Sequence, residues 1–238
     1  MGRRSGATRV KRQMAPTFWD IRRKESQFVM RVKPGPHPKD SAYPLGMVLR
    51  DAIKVTHTAK ESQVILNEGK VKVDGIVRRD PNLAVGLMDV VELANGQAYR
   101  LVPKDSELLA PVMVEDAEKT VKLAKITSKV TTKGKKLHYG FHDGKTLITD
   151  ANNMKVGDTC LLELPGAKVK DYIKFEKGST ALIITGENAG KVGKIDDLRE
   201  GIFSLPTRAF VSFGDRTVEL PVEMVMVVGK DKPVIKVN

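Results

Sequence analysis

The sequence predicts a multi-domain α+β chain: a basic extended N-terminal arm, a small αβ module, a central all-β domain and a C-terminal β-barrel. Three observations predict it. Between Tyr43 and Leu93 a helical apolar period gives way to a strand period. From about residue 104 onward, turn signals recur roughly every eight to twelve residues, the spacing of barrels and sandwiches. Charge is the third: residues 1–40 hold eleven Lys or Arg against three acids, so +8 of the net +12 lies in one sixth of the chain.

The first 40 residues are too polar and too rich in Pro and Gly to build a core of their own, and a basic segment of this kind suits a nucleic-acid tail. Arg3, Arg4, Arg9, Lys11 and Arg12 can neutralise phosphates, and Arg22, Arg23, Lys24, Arg31, Lys33 and Lys39 extend the series. Trp19 can stack on a base or anchor the arm against the body. A single aromatic makes a poor stacking platform, which favours the anchor. Pro34-Gly35-Pro36-His37-Pro38 is a stiff, extended linker. His37 suits a phosphate or sugar contact better than a metal, since no second His or Cys lies nearby.

Within the αβ module, Leu45, Val48, Leu49, Ala52 and Ile53 fall at i, i+3, i+4, i+7 and i+8, one apolar face of a helix. Thr58 and Glu61 write a capping box for a second helix, and Gly69 stops it in the left-handed conformation. Val71 and Val73 alternate with Lys70 and Lys72, Asp74-Gly75 makes a tight turn, and Ile76-Val77 starts the return strand. Asp89–Leu93 and Ala98–Val102 are further strands, joined by Asn95-Gly96. Arg50, Lys54, Lys60, Lys70, Lys72, Arg78 and Arg79 occupy the polar faces against few acids. Pattern alone leaves two readings of them, a solvated face and a polyanion-binding one.

Residues 104–175 read as short strands, with a basic loop holding Lys133, Lys135 and Lys136 and a hairpin turning at Asp143-Gly144. His138 and His142 share a strand face but stand too far apart to converge on one ion. Cys160 is the only cysteine, which rules out an internal disulfide and a thiol-based zinc site, and its strand-like setting makes it a core thiol. After the strand Ala181–Ile184, Gly186, Gly190 and Gly193 let the chain turn tightly, with Lys191 and Lys194 on the exposed tip. This is not a phosphate-binding loop: three residues separate Gly186 from Gly190 where four are needed, and Val192 stands in the place of the metal-binding hydroxyl. Phe210–Phe213, Thr217–Leu220 and Val222–Val228 supply enough strands to close a barrel. The N-terminus shows no secretory pattern and no run reaches the ~20 apolar residues of a membrane helix, so a soluble intracellular chain is expected.

The order helix, helix, Gly, hairpin, strand, and above all Leu66-Asn67-Glu68-Gly69-Lys70-Val71-Lys72-Val73-Asp74-Gly75, resembles the S-four RNA-binding domain. The glycine turn between Ile184 and Ile195 resembles the KOW motif. Together with Lys11-Arg12, Ala15-Pro16, Trp19, Pro34-Gly35-Pro36-His37, Gly157-Asp158-Thr159 and Tyr172-Ile173-Lys174-Phe175, the whole length resembles the archaeal–eukaryotic small-subunit ribosomal protein family S-four-e, in its archaeal branch. The resemblance implies a basic arm at 1–42, an S-four module at 43–103, a central β domain at 104–175 and a KOW barrel of SH3 type at 176–238. It implies a structural, cytoplasmic constituent of the small subunit, with ribosomal RNA and neighbouring ribosomal proteins as partners. No cofactor, small-molecule substrate or membrane is expected.

RNA would then be held by counterion release and by shape, the arm ordering as it threads among helices. Deleting residues 2–33 is expected to weaken RNA binding while leaving unfolding of the body nearly unchanged. Two rivals are an RNA-modifying enzyme guided by the S-four module and a free KOW-type transcription factor. The first needs a catalytic domain with a cofactor loop, an acid–base pair or a nucleophile in a motif, none of which is found. The second needs a further αβ domain that the sequence does not supply.

Overall fold

The computed structural model describes residues 9–237 apart from 20, 22, 23, 25, 105, 106, 133, 135, 151, 167 and 215. Strands dominate, and the helices are few and short. Among the described residues no helix is long and apolar enough to cross a membrane.

From Arg9 onward the basic arm is folded onto the body, which corrects its reading as a coreless extension. Strands β1 (Arg9–Lys11) and β2 (Phe28–Met30) pair antiparallel, with Val10 opposite Val29. Between them Trp19 is buried, only 4% exposed, and its Nε1–H donates to the Ala42 carbonyl at 3.0 Å. Its ring stacks on Tyr43 at 5.9 Å, Phe18 meets both rings edge-on, and the Tyr43 hydroxyl donates to the Phe18 carbonyl at 2.7 Å. Val29 and Val32 enter the same apolar core. The anchoring residues are too irregularly spaced to carry a period, which is why composition alone suggested a coreless segment.

After β3 (Ala42–Pro44), α1 (Leu45–Met47) runs on through a wider turn over Val48–Ala52, burying Leu45, Val48 and Leu49 as the periodicity predicts. Helix α2 (Ala59–Asn67) carries the capping box: Thr58 Oγ1 accepts from the Glu61 amide at 3.2 Å, and the Glu61 carboxylate accepts from the amides of His57 and Thr58. Those bonds hold the Glu61 carboxyl below its ordinary pKa. Gly69, at φ +72°, ends the helix. In the hairpin of β4 (Val71–Val73) and β5 (Ile76–Val77), Asp74 and Gly75 both take positive φ, the mirror-image turn that suits strand twist.

β6 (Ala84–Gly86) pairs with β3, and β7 (Val90–Leu93), β8 (Ala98–Lys104) and β9 (Glu107–Val114) complete a five-stranded sheet of order β5-β4-β7-β8-β9. The module boundary expected at 103 falls inside the β8–β9 hairpin, where Leu101 faces Pro111 and Ala98 faces Val114. Pro111 is tolerated because β9 is an edge strand.

The middle sheet has the order β12-β11-β10-β13-β14: β10 (Val121–Thr131), β11 (Leu137–Phe141), β12 (Thr146–Thr149), β13 (Thr159–Glu163) and β14 (Lys168–Ile173). A bulge between Ile126 and Ser128 bends β10, so its first half pairs with β13 and its second with β11. The sheet curls around Ala124, Ile126, Tyr139, Phe141, Met154, Leu162 and Cys160. Burial pushes the Cys160 thiol up to about 12, with Asp158 and Asp171 adding to it.

The last sheet, of order β18-β17-β16-β15-β19, comprises β15 (Thr180–Ile183), β16 (Val192–Arg199), β17 (Arg208–Phe213), β18 (Arg216–Pro221) and β19 (Val225–Gly229). Its edges β18 and β19 are joined by the turn Val222–Met224 and do not pair among the described residues. Gly186 and Gly190 take positive φ as the glycine turn requires, whereas Gly193 serves another purpose. A Cβ there would lie 2.3 Å from the Ser212 carbonyl oxygen of β17, so glycine is needed for strand approach rather than for turning.

The pieces are not separate globules. One apolar cluster takes in Trp19 and Val29 from the arm, Leu66 and Leu101 from the first module, Leu123 and Ile173 from the middle sheet, and Val211 and Val227 from the last. The Lys125 ammonium of β10 donates to the carbonyls of Val222 (2.7 Å), Glu223 (3.1 Å) and Val225 (2.8 Å), tying the middle and last sheets together.

Candidate nucleic-acid interface

Among the described residues the cations divide into an interior set engaged by acids and carbonyls and an exterior set, part of which has ion-pair partners and part of which has none. The interior set centres on Lys122, whose ammonium contacts Asp74 (2.9 Å), Asp89 and Asp143 (3.0 Å). Lys145 adds contacts to Asp74 (2.8 Å) and Asp143 (3.5 Å). Asp74 and Asp89 flank β7 of the first sheet, while Lys122, Asp143 and Lys145 belong to the middle sheet. Burial alone would push Lys122 down, but the three carboxylates outweigh it and keep the ammonium firmly protonated. Burial would equally raise Asp89 and Asp143, and the ammonium beside them holds both below the usual carboxylate range.

His37 completes this cluster from the arm. It is only 5% exposed, and its Nε2–H donates to Asp89 at 2.9 Å, an oxygen that also accepts from the Gly86 amide. The ring lies so close over Gly86 that a Cβ there would come 2.5 Å from His37 Cγ. His142 sits alongside, with ring centroids 6.0 Å apart. Its Nδ1 accepts from the Lys125 amide (3.1 Å) and its Nε2–H donates to the Leu87 carbonyl (3.2 Å), which fixes the neutral tautomer. Burial pushes His142 down to about 4, with Lys122 adding to the effect. Among the described residues no group of His, Cys, Asp and Glu has the arrangement of a metal site.

The expected contacts are placed unevenly. Trp19 is buried in the anchoring role that the sequence favoured over base stacking, whereas His37, expected as a phosphate or sugar contact, is corrected: it is buried with its ring engaged on Asp89. Arg12, Lys39, Arg50 and Arg78 are half-buried. Arg12 donates to the Ile21 carbonyl, Lys39 to the Met14 carbonyl, and Arg50 engages Asp51. Lys33 pairs with Asp80 and Lys70 with Glu68, while Lys191 donates to Asn188 and lies 4.8 Å over the Phe213 ring. Lys194 is exposed, though it lies within β16 rather than on the tip of the turn. Arg3, Arg4, Arg22, Arg23, Lys133 and Lys135 lie outside the described residues.

That leaves Arg9, Lys11, Lys24, Arg31, Lys54, Lys60, Lys72, Arg79, Lys136 and Lys194 exposed and, among the described residues, without an ion-pair partner. Four of them follow one another through the first module. Lys54 sits between the helices at φ +61°, Lys60 on α2, Lys72 on β4 and Arg79 just after β5. The arm meets the same region, because the Lys33 amide donates to the Asn82 carbonyl. An open cleft of about 570 Å³ lies beside β14 and β15, but Lys174, Lys177 and Lys230 are matched there by Asp171, Glu176 and Asp231. That balance makes it a poor anion site.

Comparison with known proteins adds the lineage. Residues 4–40 match the RS4NT (NUC023) domain and residues 95–169 match the ribosomal family S4e. A small ribosomal subunit protein eS4 from Korarchaeum cryptofilum is 34% identical, with the whole of both chains covered. This chain belongs to the eS4 family. The eS4 protein of Ignicoccus hospitalis is 33% identical over 97% of this chain and 95% of its own. The crystal structure of the 30S ribosomal protein S4e from Thermoplasma acidophilum superposes with a TM-score of 0.71 at 33% identity, covering 81% of this chain and 97% of that one.

In this eS4 family member the interior set holds no cation that the sequence singled out. Arg100 is fully buried, reaching the Glu118 carboxylate at 2.9 Å and the carbonyls of Glu118 and Val121. Glu118 accepts in turn from the Lys236 amide near the C-terminus. The available signal was the run Val121-Lys122-Leu123-Ala124-Lys125-Ile126, in which lysines interrupt an apolar strand rather than alternate with it.

Proposed function

We propose that this chain is a structural constituent of the small ribosomal subunit that binds folded ribosomal RNA through its exterior cations, with no catalytic step. The eS4 family is one of structural ribosomal proteins rather than enzymes. In this reading the first module is of S-four type, its helices and hairpin docking on RNA, and the last sheet is a KOW unit. Neighbouring proteins of the subunit are the remaining partners, and the cytoplasmic ribosome is its location.

The observation that carries the reading is the run of exposed cations Lys54, Lys60, Lys72 and Arg79, without an ion-pair partner among the described residues, through the inter-helix loop, α2 and the β4–β5 hairpin. Each phosphate neutralised releases counterions and steepens the salt dependence of binding. RNA duplexes and junctions offer shape, phosphates and 2′-hydroxyls rather than readable base edges, so a patch of cations suffices. The test is a salt titration of the full chain on small-subunit ribosomal RNA. Replacing Lys60, Lys72 and Arg79 together by Ala should make the log–log salt slope shallower by about 2–3. An unchanged slope and affinity would refute the assignment.

A further inference from the structure

The loop between β16 and β17 carries an apolar projection that neither the core nor an RNA contact explains. Ile202 is 71% exposed, Phe203 fully exposed and Leu205 48% exposed. The tip is a built turn. The Leu205 amide donates to the Ile202 carbonyl at 2.7 Å, and the two residues bridge across it. Thr207 Oγ1 accepts from the Gly201 amide at 3.3 Å, while the Thr207 carbonyl accepts from the Val222 amide at 3.1 Å. A Cβ on Gly201 would lie 2.8 Å from the Leu205 carbonyl oxygen, so the loop closes tightly on itself. Three large apolar side chains held out on a preorganised turn are the mark of a contact surface.

Charge decides the class of partner. Residues 200–207 carry a single charge, Glu200, in a chain whose net charge is +12. At the base of the loop Arg199 and Arg208 face each other across the strands, and both reach Glu219, at 4.0 and 3.2 Å. The tip is therefore electrically near neutral. An aromatic that stacks on RNA works beside cations that hold the backbone, and here the tip has none. An aromatic flanked by aliphatic groups is instead the anchor type that concentrates energy at protein–protein contacts.

We infer that the Ile202–Leu205 tip inserts into an apolar pocket of another protein of the assembled small subunit, with Phe203 as the anchor. This rests on the subunit membership proposed above, and the test separates the two. With a photo-reactive phenylalanine analogue at position 203, crosslinks in assembled subunits should map to one peptide of a single small-subunit protein. Crosslinks to ribosomal RNA, or none, would overturn the inference. In parallel, Phe203→Ser in the full chain should keep its unfolding temperature and its affinity for naked ribosomal RNA, yet bind protein-containing subunits about thirtyfold more weakly. Equal binding to those subunits, or weakened binding to naked RNA, would overturn it. Failure of the unsubstituted chain to bind naked RNA would instead sink the RNA reading.

Discussion

Replacing Lys122 by Met removes the one ammonium that contacts Asp74, Asp89 and Asp143 together. The three carboxylates would then be left inside the protein with Lys145 and His37 as their remaining ion-pair contacts among the described residues. Asp143 Oδ2 lies 3.0 Å from the Lys122 ammonium and 3.5 Å from that of Lys145, so losing Lys122 leaves it the more distant cation. Removing one partner of a buried ionic cluster costs about 3–5 kcal/mol, because the remaining charges stay desolvated. For a cooperative unit of this size that lowers the unfolding temperature by about 6–20 °C. The assay is urea and thermal unfolding of the variant as a function of pH.

The sign of the pH dependence follows from the shifts. Asp89 and Asp143 are depressed below their ordinary 3.8, so their stabilisation is present above that pH and lost as pH falls through and below it. Lys122 is raised above 10.5, so its contribution is complete below that pH and lost only on strong alkalinisation. Without the ammonium, burial dominates and the carboxylates take up protons earlier. The penalty of Lys122→Met is therefore largest near neutrality and shrinks towards pH 4. Adding Asp89→Asn to the variant should recover part of the loss. A loss under about 1 kcal/mol, or one that ignores pH, would refute the reasoning.

Three further outcomes follow from the packing. Trp19→Ala should cost about 3–5 kcal/mol, and deletion of residues 2–33 should destabilise the body as well; an unchanged unfolding temperature in either would restore the loose-arm reading. Gly193→Ala should cost about 1–3 kcal/mol, since the added carbon meets backbone of β17, while Gly186→Ala, with open space around it, should cost only about 1 kcal/mol of left-handed strain; paired chemical denaturation curves rank the two. Cys160, buried with its pKa pushed up to about 12, should resist a disulfide reagent at pH 8 in the native protein and react at once in denaturant.

What the sequence made legible was local. The Thr58–Glu61 capping box, the Asp74-Gly75 turn and the Asp143-Gly144 turn each need only neighbours within a few residues, and each stands where its signature lies. The β8–β9 hairpin was harder, because a strand's sheet is chosen by non-local pairing that no turn residue announces. Trp19 shows the same limit: its choice between a base and a core depended on Ala42 and Tyr43, more than twenty residues away. His37 was read as a surface contact because its partner Asp89 lies 52 positions on and nothing local pairs them.

Lysines expose the deeper reason. Lys72 and Lys122 sit in nearly the same local context, Val-Lys-Val and Val-Lys-Leu, yet one faces solvent and the other is fully buried. Alternation reports which face of a strand is apolar only when the other face is wet. β4 meets that condition at Lys72. β10 does not, since Lys122 through Ile126 are all buried, so its lysines must bring carboxylates and carbonyls inward with them. Among the described residues the buried acids are Asp74, Asp89, Asp143 and Asp158, against the buried cations Arg100, Lys122 and Lys125. Burial therefore takes at least as much negative charge from the surface as positive, and the exterior is no less basic than the sequence count implies.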